Sequence, residues 1–96
     1  MMKVELDGNL IKSEIDFHWK LAKSLGVERG YGFNCDALWD ILSASVDRPL
    51  SLIWGNSAVS RAEMGDSFER IVAILERVRQ QDEKFGWVDR FTYALH

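Results

Sequence analysis

Two aspartates, Asp36 and Asp40, stand four residues apart in the stretch YGFNCDALWDIL, residues 31–42. On a helix they share a face, one turn apart, and Asp47 continues the acidic side beyond Ser43. Carboxylates so placed could act as a general acid and base, or could meet the cations of a partner. Acid–base catalysis needs a cleft that holds substrate between the two groups and drives their pKa values apart, and two exposed aspartates on one turn offer neither. They repel each other by roughly 0.2–0.5 kcal/mol, and no Lys or Arg at helical spacing within the segment relieves them. Acidic helix faces are usually just solvated, and Asp36, near a helix start, meets the positive end of the macrodipole. Trp39 tips the balance. It falls on the flank of the same helix, and a large amphipathic ring beside unpaired carboxylates is the composition of a binding surface. Tyr31, between Gly30 and Gly32, adds a second aromatic to that edge.

Other reactive residue types give weaker patterns. Cys35 could pair with His18 or His96 as a nucleophile, but it projects from the helix toward the core, where a free cysteine is a small hydrophobe. One cysteine and two separated histidines give no zinc spacing, so no metal or cofactor is expected, and His18 reads as a surface or hydrogen-bonded residue on a helix flank. Gly30 and Gly32 lack the spacing of a phosphate-binding loop. Trp19, Trp54 and Trp87 could be imagined stacking on the bases of single-stranded RNA, but no basic groove surrounds them and a core needs such rings.

The elements that position these residues follow from periodicity. Residues 3–7 alternate Val4 and Leu6 with charged neighbours, a half-buried strand, and Asp7-Gly8-Asn9 turns the chain. Ser13, with Asp16 three residues on, caps a helix that carries Phe17, Leu21 and Leu25 and stops at Gly26. Gly30-Tyr31-Gly32 forms a loop, and Asn34 caps a second helix reaching about Val46, with Cys35, Leu38, Ile41, Leu42 and Ser45 facing the core. Residues 50–54 are almost continuously apolar, which predicts a strand covered on both faces. A short helix over 57–64 ends at Gly65. A long one follows, opened by the capping-box spacing of Asp66 and Glu69, with Phe68, Ile71, Val72, Leu75 and Val78 as its stripe up to Gly86. Residues 87–95 read as a final strand. This order predicts a single α/β domain over 1–96, with a small three-stranded parallel sheet packed with helices.

Composition sets outer bounds. The chain has 96 residues, 47% of them hydrophobic and 28% charged, room for one core and neither a disordered tail nor a membrane protein. Residues 1–8 lack the apolar segment of a signal peptide, and a single cysteine fits a reducing compartment, so a cytoplasmic protein is expected. A net charge of −3 disfavours direct binding to nucleic acid and favours a basic partner.

The run Tyr31-Gly32-x-Asn34-x-Asp36-Ala37-Leu38-Trp39-Asp40 closely resembles the signature of the barstar family, intracellular inhibitors of barnase-type ribonucleases. The preceding strand and helix, the Pro-Leu-x-Leu-x-Trp strand after it and the final helix and strand extend the resemblance over nearly the whole chain. It implies an immunity or antitoxin role and no enzymatic activity. In that family the second helix and its preceding loop plug a ribonuclease active site, one-to-one, with helix carboxylates in the places of substrate phosphates. The resemblance implies that Asp40 takes the central phosphate position, Asp36 a second acidic contact, and Tyr31, Gly32 and Asn34 the loop entering the cleft, with Trp39 at its edge. A glutamate of the family's last long helix aligns with Arg77, or with Glu76 on a shift of one residue. The sequence departs from the family at Gly30, where a second tyrosine is common. The alternative is an adaptor or oligomerisation module of the same fold, whose acidic helix binds a basic protein that is not a nuclease.

Overall fold

The computed structural model describes residues 2–96. The alternating start forms β1 (Met2–Asp7), with Val4 and Leu6 buried and Lys3, Glu5 and Asp7 exposed. A 3-10 turn over Gly8–Leu10 follows, and Gly8 is required in it because a Cβ there would run into the Asn56 carbonyl oxygen. The Ser13 hydroxyl accepts the Asp16 amide at 3.2 Å and opens α1 (Glu14–Leu25), which ends at a left-handed Gly26 as expected. Asn34 opens α2 (Cys35–Asp40), which runs on into a wider π turn over Ile41–Ser45. Then come β2 (Leu50–Gly55), α3 (Ser57–Met64), α4 (Asp66–Lys84) and β3 (Phe91–Leu95).

The three strands lie in the order β1-β2-β3, all parallel, with Val4 opposite Leu52 and Leu52 opposite Tyr93. This is the small parallel sheet packed with helices that the pattern predicts. Its core joins Leu50, Leu52 and Trp54 of β2 to Phe17 and Leu21 of α1, Leu38 of α2 and Phe68, Ile71 and Leu75 of α4. Leu38 and Leu42 thereby root the acidic helix in this core, where it packs chiefly on α4.

Several sequence expectations need correction. The strand β2 is not covered on both faces: Ser51, Ile53 and Gly55 alternate with its buried residues and are only partly covered. It is apolar because it is the central strand of a sheet whose helices lie on the other face. The last strand begins at Phe91 rather than at 87. A left-handed Gly86 breaks α4, and the Trp87 amide donates back to the Asp82 carbonyl at 3.3 Å, so residues 87–90 form a hook before the ladder starts. Asp66 does not cap α4 but is its first residue, following Gly65, and Glu69 pairs instead with Arg61 at 3.1 Å. Of the three tryptophans assigned to the core, only Trp54 is buried.

One buried ion pair locks the connection that follows the acidic helix. Arg48 Nε and Nη2 donate to the Asp82 carboxylate at 2.7 and 3.1 Å, and Arg48 Nη1 donates to the Val46 carbonyl at 2.9 Å. The Phe91 amide also donates to Asp82, at 2.7 Å, so one carboxylate ties the end of the site helix, α4 and the start of β3 together.

Candidate functional site

The loop before α2 is held flat against the first turn of that helix. Asn34 Oδ1 accepts the Ala37 amide at 2.8 Å, which caps the helix, while its Nδ2 donates to the Gly32 carbonyl at 3.2 Å, which braces the loop. A Cβ on Gly32 would stand only 3.0 Å from Ala37 Cβ, so glycine lets the loop lie this close. Gly30 takes the left-handed conformation at φ 88°. Phe33 takes it too, at φ 53°, where a bulky side chain costs about 1 kcal/mol or more.

Tyr31 is turned inward. Only 7% of it is exposed, and its hydroxyl stands 2.6 Å from Nδ1 of the fully buried His18, whose Nε2 lies 3.0 Å from Glu14 Oε2. Burial pushes the Tyr31 phenol well above its ordinary range. His18 is thus a hydrogen-bonded buried residue and not a surface one, and Tyr31 shapes the loop from beneath. The Cys35 thiol is pushed up by burial and by the neighbouring Glu14 carboxylate, so it stays protonated, the opposite of an activated nucleophile.

Asp36, Asp40 and Asp47 are all exposed, and among the described residues their carboxylates take part in no ion pair. Asp40 lines a surface depression of about 300 Å3 with Arg29, Tyr31, Gly32 and Ile41. Ser45 lies on its rim and is exposed, whereas regular helical spacing places it in the core. The cause is the π turn: the Val46 amide bonds back five residues to Ile41 at 3.1 Å, and each wider step falls behind the 100° of an α-helix.

Trp39 is partly buried on the flank, and the Arg77 guanidinium of α4 lies over its ring, 4.4 Å from the centre. Glu76 faces elsewhere. Arg79 donates to both its oxygens, at 2.9 and 2.7 Å, and Gln80 and the Tyr93 hydroxyl each donate at 2.9 Å. The Arg79 fork is the main cause that holds the Glu76 carboxyl down at about 2. The structure therefore brings Tyr31, Gly32, Asn34, Asp36, Trp39 and Asp40 together on one loop and helix, and sets Glu76 among its own partners. Two parts of this arrangement went unread in the sequence, the His18–Tyr31 contact and the Arg77 cover on Trp39. Neither is signalled by local spacing.

A parallel sheet with helices on one side, one of them bearing exposed carboxylates that form no ion pair among the described residues, defines a small α/β protein with an acidic helix edge. The chain matches the family model described as "Barstar (barnase inhibitor)" over residues 1–91, and it belongs to the barstar family. It is also 30% identical over 81 residues to the Bacillus subtilis (strain 168) protein named "Putative ribonuclease inhibitor YrdF", covering 84% of this chain and 89% of that one. Among the described residues no helix is long and apolar enough to cross a membrane.

Proposed function

We propose that this chain is a cytoplasmic inhibitor, not an enzyme, that plugs the active site of a small basic barnase-type ribonuclease with α2 and its preceding loop. Family membership supports the class of partner. The observation that carries the reading is the exposed pair Asp36 and Asp40, based on the buried Leu38 and Leu42 and, among the described residues, engaged in no ion pair. Such carboxylates fit where a ribonuclease binds substrate phosphates, and they would accept charge-assisted hydrogen bonds from its arginines. Tyr31, Gly32 and Asn34 would set the loop at the rim of the cleft, with Trp39 packed at the edge. Glu76 could join only by giving up Arg79, Gln80 and Tyr93. An immunity role, protecting a cell against a ribonuclease, follows from the same chemistry.

Titration into barnase acting on RNA tests the proposal. Cleavage should fall to nothing at one equivalent, and higher salt should slow association far more than it speeds dissociation, a behaviour best known from the barnase–barstar pair itself. Asp40→Ala should weaken the complex most, followed by Asp36→Ala and Trp39→Ala, with Glu28→Ala as an indifferent control. Undiminished cleavage at excess protein would overturn the proposal. Capture of a basic protein with no effect on RNA cleavage would support the adaptor reading instead.

A further inference from the structure

The chain has four tryptophans, and three of them reach the surface. Arg77 covers Trp39, and the Arg48 guanidinium lies 5.8 Å from the centre of the Trp87 ring. Trp19 is the most exposed, at 53%, and among the described residues no cation lies over its ring. Its neighbour is Phe33, with ring centroids 4.6 Å apart, and Phe33 in turn meets Tyr31 edge-on at 5.1 Å.

This aromatic pair belongs to the site by position. Phe33 directly precedes the cap residue Asn34, has a left-handed backbone, and packs its ring on Trp19 of α1. A bulky residue held in that conformation is strained, and such strain persists where the surroundings over-determine it, often at binding surfaces. Phe33 thus packs beside the indole while Trp19 remains largely exposed. The two other surface tryptophans each have an arginine of this chain over the ring, at 4.4 and 5.8 Å from its centre, a group that suits an indole. A planar guanidinium stacks on such a ring and is more weakly hydrated than an ammonium.

We infer that Trp19 and Phe33 form an aromatic rim beside the acidic helix that takes an arginine side chain of the ribonuclease, outside its phosphate-binding centre. The inference rests on the inhibitor reading, which supplies a basic partner and places it against the adjoining loop. A contact away from the catalytic cleft would help this inhibitor choose among ribonucleases whose active sites are alike, because surfaces around a cleft differ more than the chemistry within it.

Dissociation rates of the barnase complex, measured for wild type, Trp19→Phe, Trp19→Met, Trp19→Gln and Asp40→Ala, test this. Phenylalanine keeps a π face, whereas methionine keeps only apolar bulk. Trp19→Phe should dissociate nearly as slowly as wild type, and Trp19→Met and Trp19→Gln roughly five- to thirty-fold faster. Urea midpoints of the free variants verify that each is folded, and if Trp19→Gln is not, the Phe and Met variants decide. Trp19→Met holding as well as Trp19→Phe would reduce the contact to apolar packing and overturn recognition of a cation. If every Trp19 variant matches wild type while Asp40→Ala is weakened, the rim is no contact and the inhibitor reading stands. If wild type itself does not bind barnase, the inhibitor reading fails and takes this inference with it.

Discussion

Arg77 of α4 lies over Trp39 of α2 at 4.4 Å, so a cation of this chain stands beside the helix that presents its free carboxylates. The guanidinium is exposed and belongs to none of the ion pairs among the described residues. It packs on the indole within this chain, and it sits badly for the basic ribonuclease proposed above. The glutamate expected near this position is turned toward Tyr93, on another side of α4.

Arg77→Gln should therefore act in opposite directions on folding and on binding. Loss of the stacked cation should cost about 0.5–1 kcal/mol of stability in urea melts. Association with barnase should become faster at low salt, with the difference fading as salt screens the lost charge. Stopped-flow rates at two ionic strengths check this, and a variant that associates more slowly than wild type would mean that Arg77 itself meets the partner.

The Tyr31 hydroxyl and His18 form a buried pair whose loss should be felt in the loop. With the Nε2 proton donated to Glu14, Nδ1 is left to accept the tyrosine O–H, an assignment that satisfies both groups. Tyr31→Phe leaves that buried nitrogen without a donor and should destabilise the protein by about 1–3 kcal/mol. Hydrogen exchange should speed up in residues 27–33 before it does in the strands. Unchanged exchange there would show that ring packing alone holds the loop.

Much of this was legible from local pattern. Period-2 alternation in β1, the Ser13 and Asn34 caps and the apolar stripe of α4 are local signals, and each predicts its element. The acidic face of α2 was legible for the same reason. What failed depended on departures from regular spacing or on distant partners. Ser45 was misplaced because a π turn changes the angular step, and no residue type announces one. Arg48 and Asp82 are separated by 34 residues, and Arg77 and Trp39 likewise come from different helices, so their pairing exists only once the sheet has assembled. Trp19 and Trp87 were assigned to the core by residue type, although large rings are often only part-buried.

The Arg48–Asp82 pair should dominate the response of stability to mutation and acid. Arg48→Met leaves a buried carboxylate unpaired and should cost about 3–5 kcal/mol, whereas Arg48→Met combined with Asp82→Leu should recover much of that loss. Burial opposes ionisation of Asp82, but Arg48 and the Phe91 amide outweigh it and hold the carboxyl below its ordinary range. A carboxyl lowered by folding contributes its full stability above the unfolded pKa and loses it as pH falls through the folded one. Glu76 has the same sign, its window running from the ordinary 4.5 down to about 2 and softened by solvent at a surface site. Urea midpoints should therefore fall steadily below pH 4.5, and less steeply in the Arg48→Met, Asp82→Leu double variant than in wild type.

The acidic face itself sets folding against binding, and this can be tested without any partner. Asp36 and Asp40 stand one helical turn apart, Asp47 follows further along, and among the described residues none of the three forms an ion pair, although Arg29 lines the same depression as Asp40. Asp36 lies in the first turn, where the macrodipole favours a negative charge, but Asp40 closes the regular part of the helix and has no such compensation. Asp40→Asn keeps the shape and removes the repulsion, so it should raise stability by roughly 0.3–1 kcal/mol at low salt. The gain should shrink at high salt, where wild-type repulsion is already screened. The same substitution should weaken the ribonuclease complex severely, because partner arginines would lose a charged acceptor. Urea melts at two salt concentrations, read beside inhibition of barnase, decide the matter. A variant less stable than wild type would show that Asp40 supports the fold, and the case that this charge is held for a partner would then lose its physical basis.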